Sequence, residues 1–282
     1  MIEATIEDAP RGDATFAANR AVGRIALSVT AASGQSRRAR VHEAGSLRVR
    51  FPNAADAAQL DAVVVNTAGG MAGGDRFDIE VNVGASARLC LTSAAAEKIY
   101  RSLGPDTQVG VKLAAGPGAM LAWLPQETIL FDRARLRRTI DLDLARGAGV
   151  LLAEAIVFGR SAMGETVACG HLFDRWRVRV GGELVFAETT RLDGEIAQRL
   201  SETAIAAGGA AVASVLKLPG DEAAAAAIRA MQQSFMGDVG VSAWNGLSLA
   251  RLVARDGAAL RQDLVAVLTT WGAGVLPRLW LN

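Results

Sequence analysis

Tyrosine occurs once in this sequence of 282 residues, histidine twice and cysteine twice. Each scarcity removes a class of chemistry. Two cysteines, Cys90 and Cys169, cannot build a disulfide framework in a chain of this size, so a reducing compartment is expected. With His42 and His171 as the only imidazoles, a Ser-His-Asp or Cys-His arrangement has few bases to draw on. No Gly-x-Ser-x-Gly turn is present to expose a nucleophile. Charge of one sign is also missing: 30 Lys and Arg stand against 29 Asp and Glu, a net charge of +1. No global field therefore draws the chain to nucleic acid or anionic lipid. No apolar run reaches the ~18 residues of a membrane span, and the longest weakly apolar stretch, AIAAGGAAVASVL, is mostly Ala and Gly. The first residues, MIEATIEDAPRGD, are acidic and lack an apolar h-region, so no secretory signal is expected and the protein reads as soluble and cytoplasmic.

What is present is strand periodicity. In LRVRF, Leu47, Val49 and Phe51 alternate with Arg48 and Arg50, and in FDIEVNV, Phe77, Ile79, Val81 and Val83 alternate with polar residues. The same period of two recurs at Val109, Val111 and Leu113, at Ile140, Leu142 and Leu144, and at Trp176, Val178 and Val180. One side-chain set faces a core and the other faces water, as half-exposed sheets are written. Gly104-Pro105, Gly116-Pro117-Gly118 and Gly181-Gly182 punctuate the runs. The pattern predicts a flexible segment over residues 1–19 and a β-rich body over 20–218. Past LPGDE the character changes. Asp221 can cap a helix start, and EAAAAAIRAMQQSF has high helix propensity. Leu260, Leu264, Val267, Leu268 and Trp271 then fall on one helical stripe, with Gly257 breaking or kinking the segment before it. Helices are expected within 221–271, packed on the β body in one domain over 20–282, followed by a strand or tail over 272–282. No internal repeat is evident.

The stretch NTAGGMAGGDRFDI, residues 66–79, holds Gly69, Gly70, Gly73 and Gly74. No Gly-Lys-Ser/Thr places an ammonium on phosphate, and the stretch precedes a strand where a nucleotide loop would open a helix. It reads as a turn needing positive φ or close backbone approach, tied together by Asp75 accepting backbone N–H groups. Paired-carboxylate chemistry has Glu97, Glu127, Glu154 and Glu165 as candidates, and nothing in the sequence brings two of them together. Cys169 and His171 in CGH stand two apart, on one face of a strand, and offer a soft and a borderline ligand to a transition metal, without a second pair to close the site. The arginine runs RRAR at 37–40 and RARLRR at 133–138 lack interleaved aromatics and read as exposed strand faces or a docking edge rather than nucleic-acid contacts.

The run GGMAGGDRFDIEVNVGASARLCLTSAAAEKIYRS resembles the signature of the UreD (UreH) urease accessory family. The similarity continues in order through WLPQETILFDRARLRR, EAIVFGRSAMGE, GVSAWNGLSLARLVA and the terminal PRLW, over nearly the whole chain. The family's usual Thr-Thr-Gln-Ala-Ala-Thr-Lys reads here as TSAAAEK, with Ser93, Ala94 and Glu97 as departures. The resemblance implies a mainly β fold, a β-helical or stacked-sheet body with a small C-terminal helical part. It implies a non-enzymatic scaffold that binds UreF, recruits the GTPase UreG through it, and docks on apo-urease, with a homodimer inside the complex as an option. No tightly bound cofactor is implied, only a transient nickel ion passed through the interior; neither nucleic acid nor membrane is an implied partner. Asp75, Glu127, Glu154 and Glu165 lie in matching motifs and are implied to line or shape the passage. Cys169 and His171 are weaker metal candidates, and Tyr100, Arg101, Arg278 and Trp280 suit protein interfaces. The competing expectation is a β-solenoid-type carbohydrate hydrolase or lyase using paired carboxylates, against which the single tyrosine argues.

Overall fold

The computed structural model describes residues 19–53, 56, 58–160, 163–272 and 276–281, so the expected flexible segment lies outside the described residues save for residue 19. The chain opens with the hairpin β1 (Val22–Ala32) and β2 (Gln35–Gly45) and the antiparallel pair β3 (Leu47–Arg50) and β4 (Leu60–Asn66). It then coils, and each turn of the coil sends strands to both of two facing sheets. β5 (Arg76–Val83) joins the first sheet, and β6 (Arg88–Ser93) and β7 (Glu97–Ile99) the second; β8 (Thr107–Ala115) joins the first, and β9 (Met120–Leu124) and β10 (Thr128–Leu130) the second; β11 (Arg135–Leu144) and β12 (Gly149–Phe158) make the last turn. The hairpin β13 (Gly170–Val180) and β14 (Glu183–Gly194) completes the first sheet. After the short helix α1 (Ile196–Ser201), β15 (Ala211–Leu218), helix α2 (Glu222–Arg229), the hairpin β16 (Asp238–Trp244) and β17 (Leu247–Ala254), and helix α3 (Gly257–Trp271) extend the second sheet and cover it.

The first sheet runs β14-β13-β11-β8-β5-β1-β2 and is parallel from β13 to β1. The main path of the second runs β16-β17-β15-β12-β9-β6-β4-β3 and is parallel from β12 to β4. Parallel pairing in register lines up one residue from each turn, so Ile25, Ile79, Val111, Ile140 and Trp176 form one row and Leu27, Val81, Leu113, Leu142 and Val178 the next. The corners stack too: Gly116 N–H donates to Val83 O and Ala145 N–H to Ala115 O, each at 2.8 Å, with Ala87, Ala119 and Ala148 buried at the inside of successive bends. A repeat therefore exists that the letters do not display. Each rung needs only apolar bulk at its inward positions, and different apolar residues meet that need, so the period survives while the identities drift.

Two cores result. One fills the space between the sheets, and the second lies between the back of the second sheet and the helices. The strand β12 is buried on both faces, which is why GVLLAEAIVF reads as an almost unbroken apolar run. The stripe Leu260, Leu264, Val267, Leu268 and Trp271 is buried along α3, and Asp221 and Asp256 cap α2 and α3 by accepting from Ala224 N and Ala259 N. Gly257 is the first residue of α3 rather than a break inside a longer helix. The β16–β17 hairpin falls within the span read as helical, and its cause is local: Asn245 and Gly246 take φ of 49° and 76°, the paired left-handed conformation of a two-residue hairpin turn. At the C-terminus a 3-10 turn over Arg278–Trp280 stands where a strand or tail was expected. Trp280 is 2% exposed, its Nε1 donates to Leu124 O at 3.0 Å, and the Arg261 guanidinium covers its ring. In this chain it is a core residue and not a surface anchor.

The glycine-rich turn between β4 and β5 is held by Asp75. Its Oδ1 accepts from Ala21 N at 2.9 Å and its Oδ2 from Ala72 N at 2.7 Å, joining the turn to the start of β1. Gly69 and Gly74 take φ of 76° and 92°, and a Cβ at Gly73 would collide with Ser102 Oγ and Pro105 O. Replacing Asp75 with Ala leaves two N–H groups without their acceptor. We expect Asp75→Ala to lower the unfolding free energy by about 2 kcal/mol, read as a shift in urea midpoint at unchanged slope.

Candidate functional site

Three inward positions break the apolar rows. In β11 the inward set is Leu136, Arg138, Ile140, Leu142 and Leu144; in β13 it is Leu172, Asp174, Trp176 and Val178; in β12 the set in phase with Val150, Leu152 and Ile156 includes Glu154. Arg138 and Asp174 are direct partners across the parallel β11–β13 pair, and Glu154 reaches them from the opposite sheet. All three are enclosed, at 4%, 8% and 6% exposure. The guanidinium forks onto Asp174, with Nε to Oδ1 at 3.1 Å and Nη2 to Oδ2 at 2.6 Å. Its Nη1 donates to Glu154 Oε2 and, at 3.4 Å, to Thr128 Oγ1. Glu154 Oε1 accepts from Trp123 Nε1 at 2.8 Å.

A cavity lies on each side of this cluster. The larger, about 80 Å³, is walled by apolar side chains of both sheets and by the polar groups of Thr92, Ser93, Glu97, Gln126 and Thr128; it reaches half-buried residues at Ser93, Glu97 and Pro125. The smaller, about 50 Å³, is lined by Asp174, Trp176 and Ser214 and reaches Glu188 and the exposed Thr190. Arg138 and Glu154 belong to the walls of both. Spaces of this size have room for a few waters. At the outer rim Glu188 is paired with Arg251 at 2.7 Å, a contact that links the two sheets. Chemically the arrangement is a row of oxygen groups between two sheets, without the imidazoles or thiolates of a tight transition-metal cage.

The family profile described as UreD urease accessory protein matches residues 21–281. The chain belongs to the UreD family. It is 54% identical over 282 residues to the urease accessory protein UreD of Rhodopseudomonas palustris strain HaA2, covering 100% of both chains. It is 55% identical over 267 residues to the UreD protein of Bradyrhizobium diazoefficiens, covering 95% of this chain and 96% of that one. This protein is thus a urease accessory protein by family.

Among the acids that the UreD resemblance singles out, Glu154 alone borders the two cavities. Asp75 is occupied in the glycine turn, as described above. Glu127 pairs with Arg261 at 2.9 Å and ties α3 to the β9–β10 segment. Glu165 pairs with Arg160, whose guanidinium lies 4.3 Å from the centre of the Phe131 ring. Cys169 is half-buried and its N–H donates to Asp132, while His171 is buried with Nδ1 3.3 Å from Asp193 Oδ1. No group of three His, Cys, Asp or Glu suited to a metal ion occurs among the described residues. Of the family departures, Ser93 and Glu97 line the larger cavity and the exposed Ala94 does not. Tyr100 stacks edge-on against Phe131 at 5.1 Å, and Arg101 and Arg278 are exposed.

No motif singles out Arg138 or Asp174, and RARLRR reads in sequence as exposed strand faces or a docking edge. A signal was available: each sits in the apolar phase of an alternating strand, as Glu154 does, and a charge in that phase is buried unless the strand twists away. The electrostatics follow from enclosure. Burial works against the charge of Arg138, and Asp174 and Glu154 more than offset it, so the guanidinium is held charged. Burial pushes the Glu154 carboxyl up to about 7 against the pull of Arg138, and Asp174 adds to the rise; burial likewise raises Glu97. A carboxyl raised in the folded state contributes stability that is complete below its ordinary value of 4.5 and is lost as pH climbs through about 7. We expect Glu154→Gln to remove this component. Between pH 5 and pH 8 the wild type should lose about 3 kcal/mol relative to the variant, measured by denaturant unfolding across that range.

Proposed function

We propose that this protein is a non-enzymatic carrier of nickel(II) to apo-urease, which it serves in the cytoplasm in a complex with UreF and, through UreF, with UreG. The observation that carries the reading is the pair of cavities between the sheets that meet at Glu154. A metal in transit must be bound weakly and in sequence, because a ligand set that holds it tightly would keep it. Carboxylates, hydroxyls and water bind a borderline divalent ion in that way. Glu97, Thr128, Glu154, Asp174 and Glu188 offer such oxygens in order from one cavity to the other. Buried acids are tolerable there because each has a cationic or hydrogen-bonding partner or reaches water.

The loops beside the larger cavity supply a candidate docking face. Arg101 is exposed there, Tyr100 is half-buried beside it, and the neighbouring Leu103 is among the most exposed large apolar side chains. Arg and Tyr beside free apolar surface are what partner proteins anchor on. The carbohydrate-hydrolase reading finds less support. The carboxylates that come together, Glu154 and Asp174, share a guanidinium inside cavities of about 80 and 50 Å³, against roughly 300 Å³ or more for a small-molecule site.

The test is co-expression with UreF, UreG and apo-urease, followed by size exclusion and a nickel-dependent urease assay. The chain should co-elute with its partners and raise urease activity. Glu154→Ala should still co-elute and lose at least tenfold in activation, while the exposed Glu80→Gln should match the wild type. A chain that elutes alone, with urease activation indifferent to it, overturns the proposal.

A further inference from the structure

On the passage reading above, the two cavities share only Arg138 and Glu154 as wall residues, so any route between them crosses the contact of those two side chains. We propose that Arg138 is the gate of the passage, its guanidinium closing the opening and leaving Glu154 each time a cation crosses.

The bonding of the guanidinium is unequal in a way that suits a pivot. Asp174 holds it through two parallel bonds, at 3.1 and 2.6 Å, the stronger and more directional arrangement. Glu154 holds it through Nη1 alone, and the other Glu154 oxygen is fixed by Trp123 Nε1 at 2.8 Å. Rotation about the Asp174 fork therefore frees one oxygen of a carboxylate that stays in place. Thr128 Oγ1, 3.4 Å from the same Nη1, is a second oxygen at that point on the wall of the larger cavity. A cation arriving there exchanges with Nη1 for the freed oxygens, and the guanidinium returns to Glu154 once the ion has moved on.

Stability alone does not account for the cluster. The adjacent row in the same strands, Ile79, Val111, Ile140 and Trp176, is wholly apolar, and buried ion clusters are often replaceable by apolar side chains without loss. The gate also selects. A fixed positive charge in the opening turns back ions that do not bind carboxylate strongly enough to displace it.

The experiment uses the full chain in its complex with UreF, UreG and apo-urease, given stoichiometric nickel(II) with and without a chelator added during activation. The Arg138→Met/Asp174→Asn double variant removes the guanidinium and its anchor together, which keeps the net charge of the cluster and leaves Glu154 in place. It should activate urease at least threefold faster and lose at least fivefold more nickel to the chelator than the wild type. Arg138→Lys, which keeps the charge without the fork, should fall between them. A merely structural role predicts slower activation instead. A folded, co-eluting double variant that activates at the wild-type rate or more slowly, or that loses no more nickel, overturns the gate. Should the double variant not fold, wild-type chelator loss in Arg138→Lys overturns it equally. Failure of the passage itself reads differently: Glu154→Gln would then deliver nickel at the wild-type rate.

Discussion

A strand in the coil can bond to the strand of the previous turn only in parallel and in register, because the corners between them stack through their own hydrogen bonds. Gly116, Ala145 and Gly181 each donate to the residue that ends the preceding rung, at 2.8 Å. A slip of one residue would break those corner bonds and turn the whole inward set outward. Register is therefore set at the bends and expressed in the sheets, and it decides which side chains meet across the space between them.

That same constraint creates the site. Because register is set along the whole first sheet, a charge in the inward phase of one strand cannot turn to water, and its partner must come from the adjacent rung or the facing sheet. Arg138 obtains both: Asp174 from the next rung and Glu154 from across the core. The charged cluster interrupts the packing between two rigid layers and leaves a cavity on either side of it. Fold and site are consequently not separable features. The gap between the sheets is filled wherever the rows are apolar and opens where they are charged.

The loops share this economy. Asp75 ties the glycine turn to the first strand, Asp263 on α3 accepts from Met236 and Gly237 N–H, and Asp221 and Asp256 cap their helices. These acids outside the central space are thus committed to backbone N–H groups. Glu127 and Glu165, attractive as metal ligands when read in one dimension, are ion-pair partners in three.

Much of the local structure was legible in the residues. Alternation at Phe77–Val83, Ile140–Leu144 and Trp176–Val180 marks strands, the Leu260–Trp271 stripe marks α3, and Asp221 marks a cap, because each depends on neighbours close in sequence. The Asn245-Gly246 turn carried an equally local signal that the helical reading of its surroundings hid. The phase of Arg138, Asp174 and Glu154 was also written in the chain, as charges standing where their strands are otherwise apolar. Their meeting was not. Arg138 and Asp174 are 36 residues apart and Arg138 and Glu154 are 16, and nothing local says which strand pairs with which or that two sheets face each other. The sequence by itself determined the strands, the caps and the inward or outward sense of each side chain. Only tertiary structure decided which inward charges share a space, because strand order and the facing of the sheets arise from burying apolar surface between distant segments, and no short stretch encodes that.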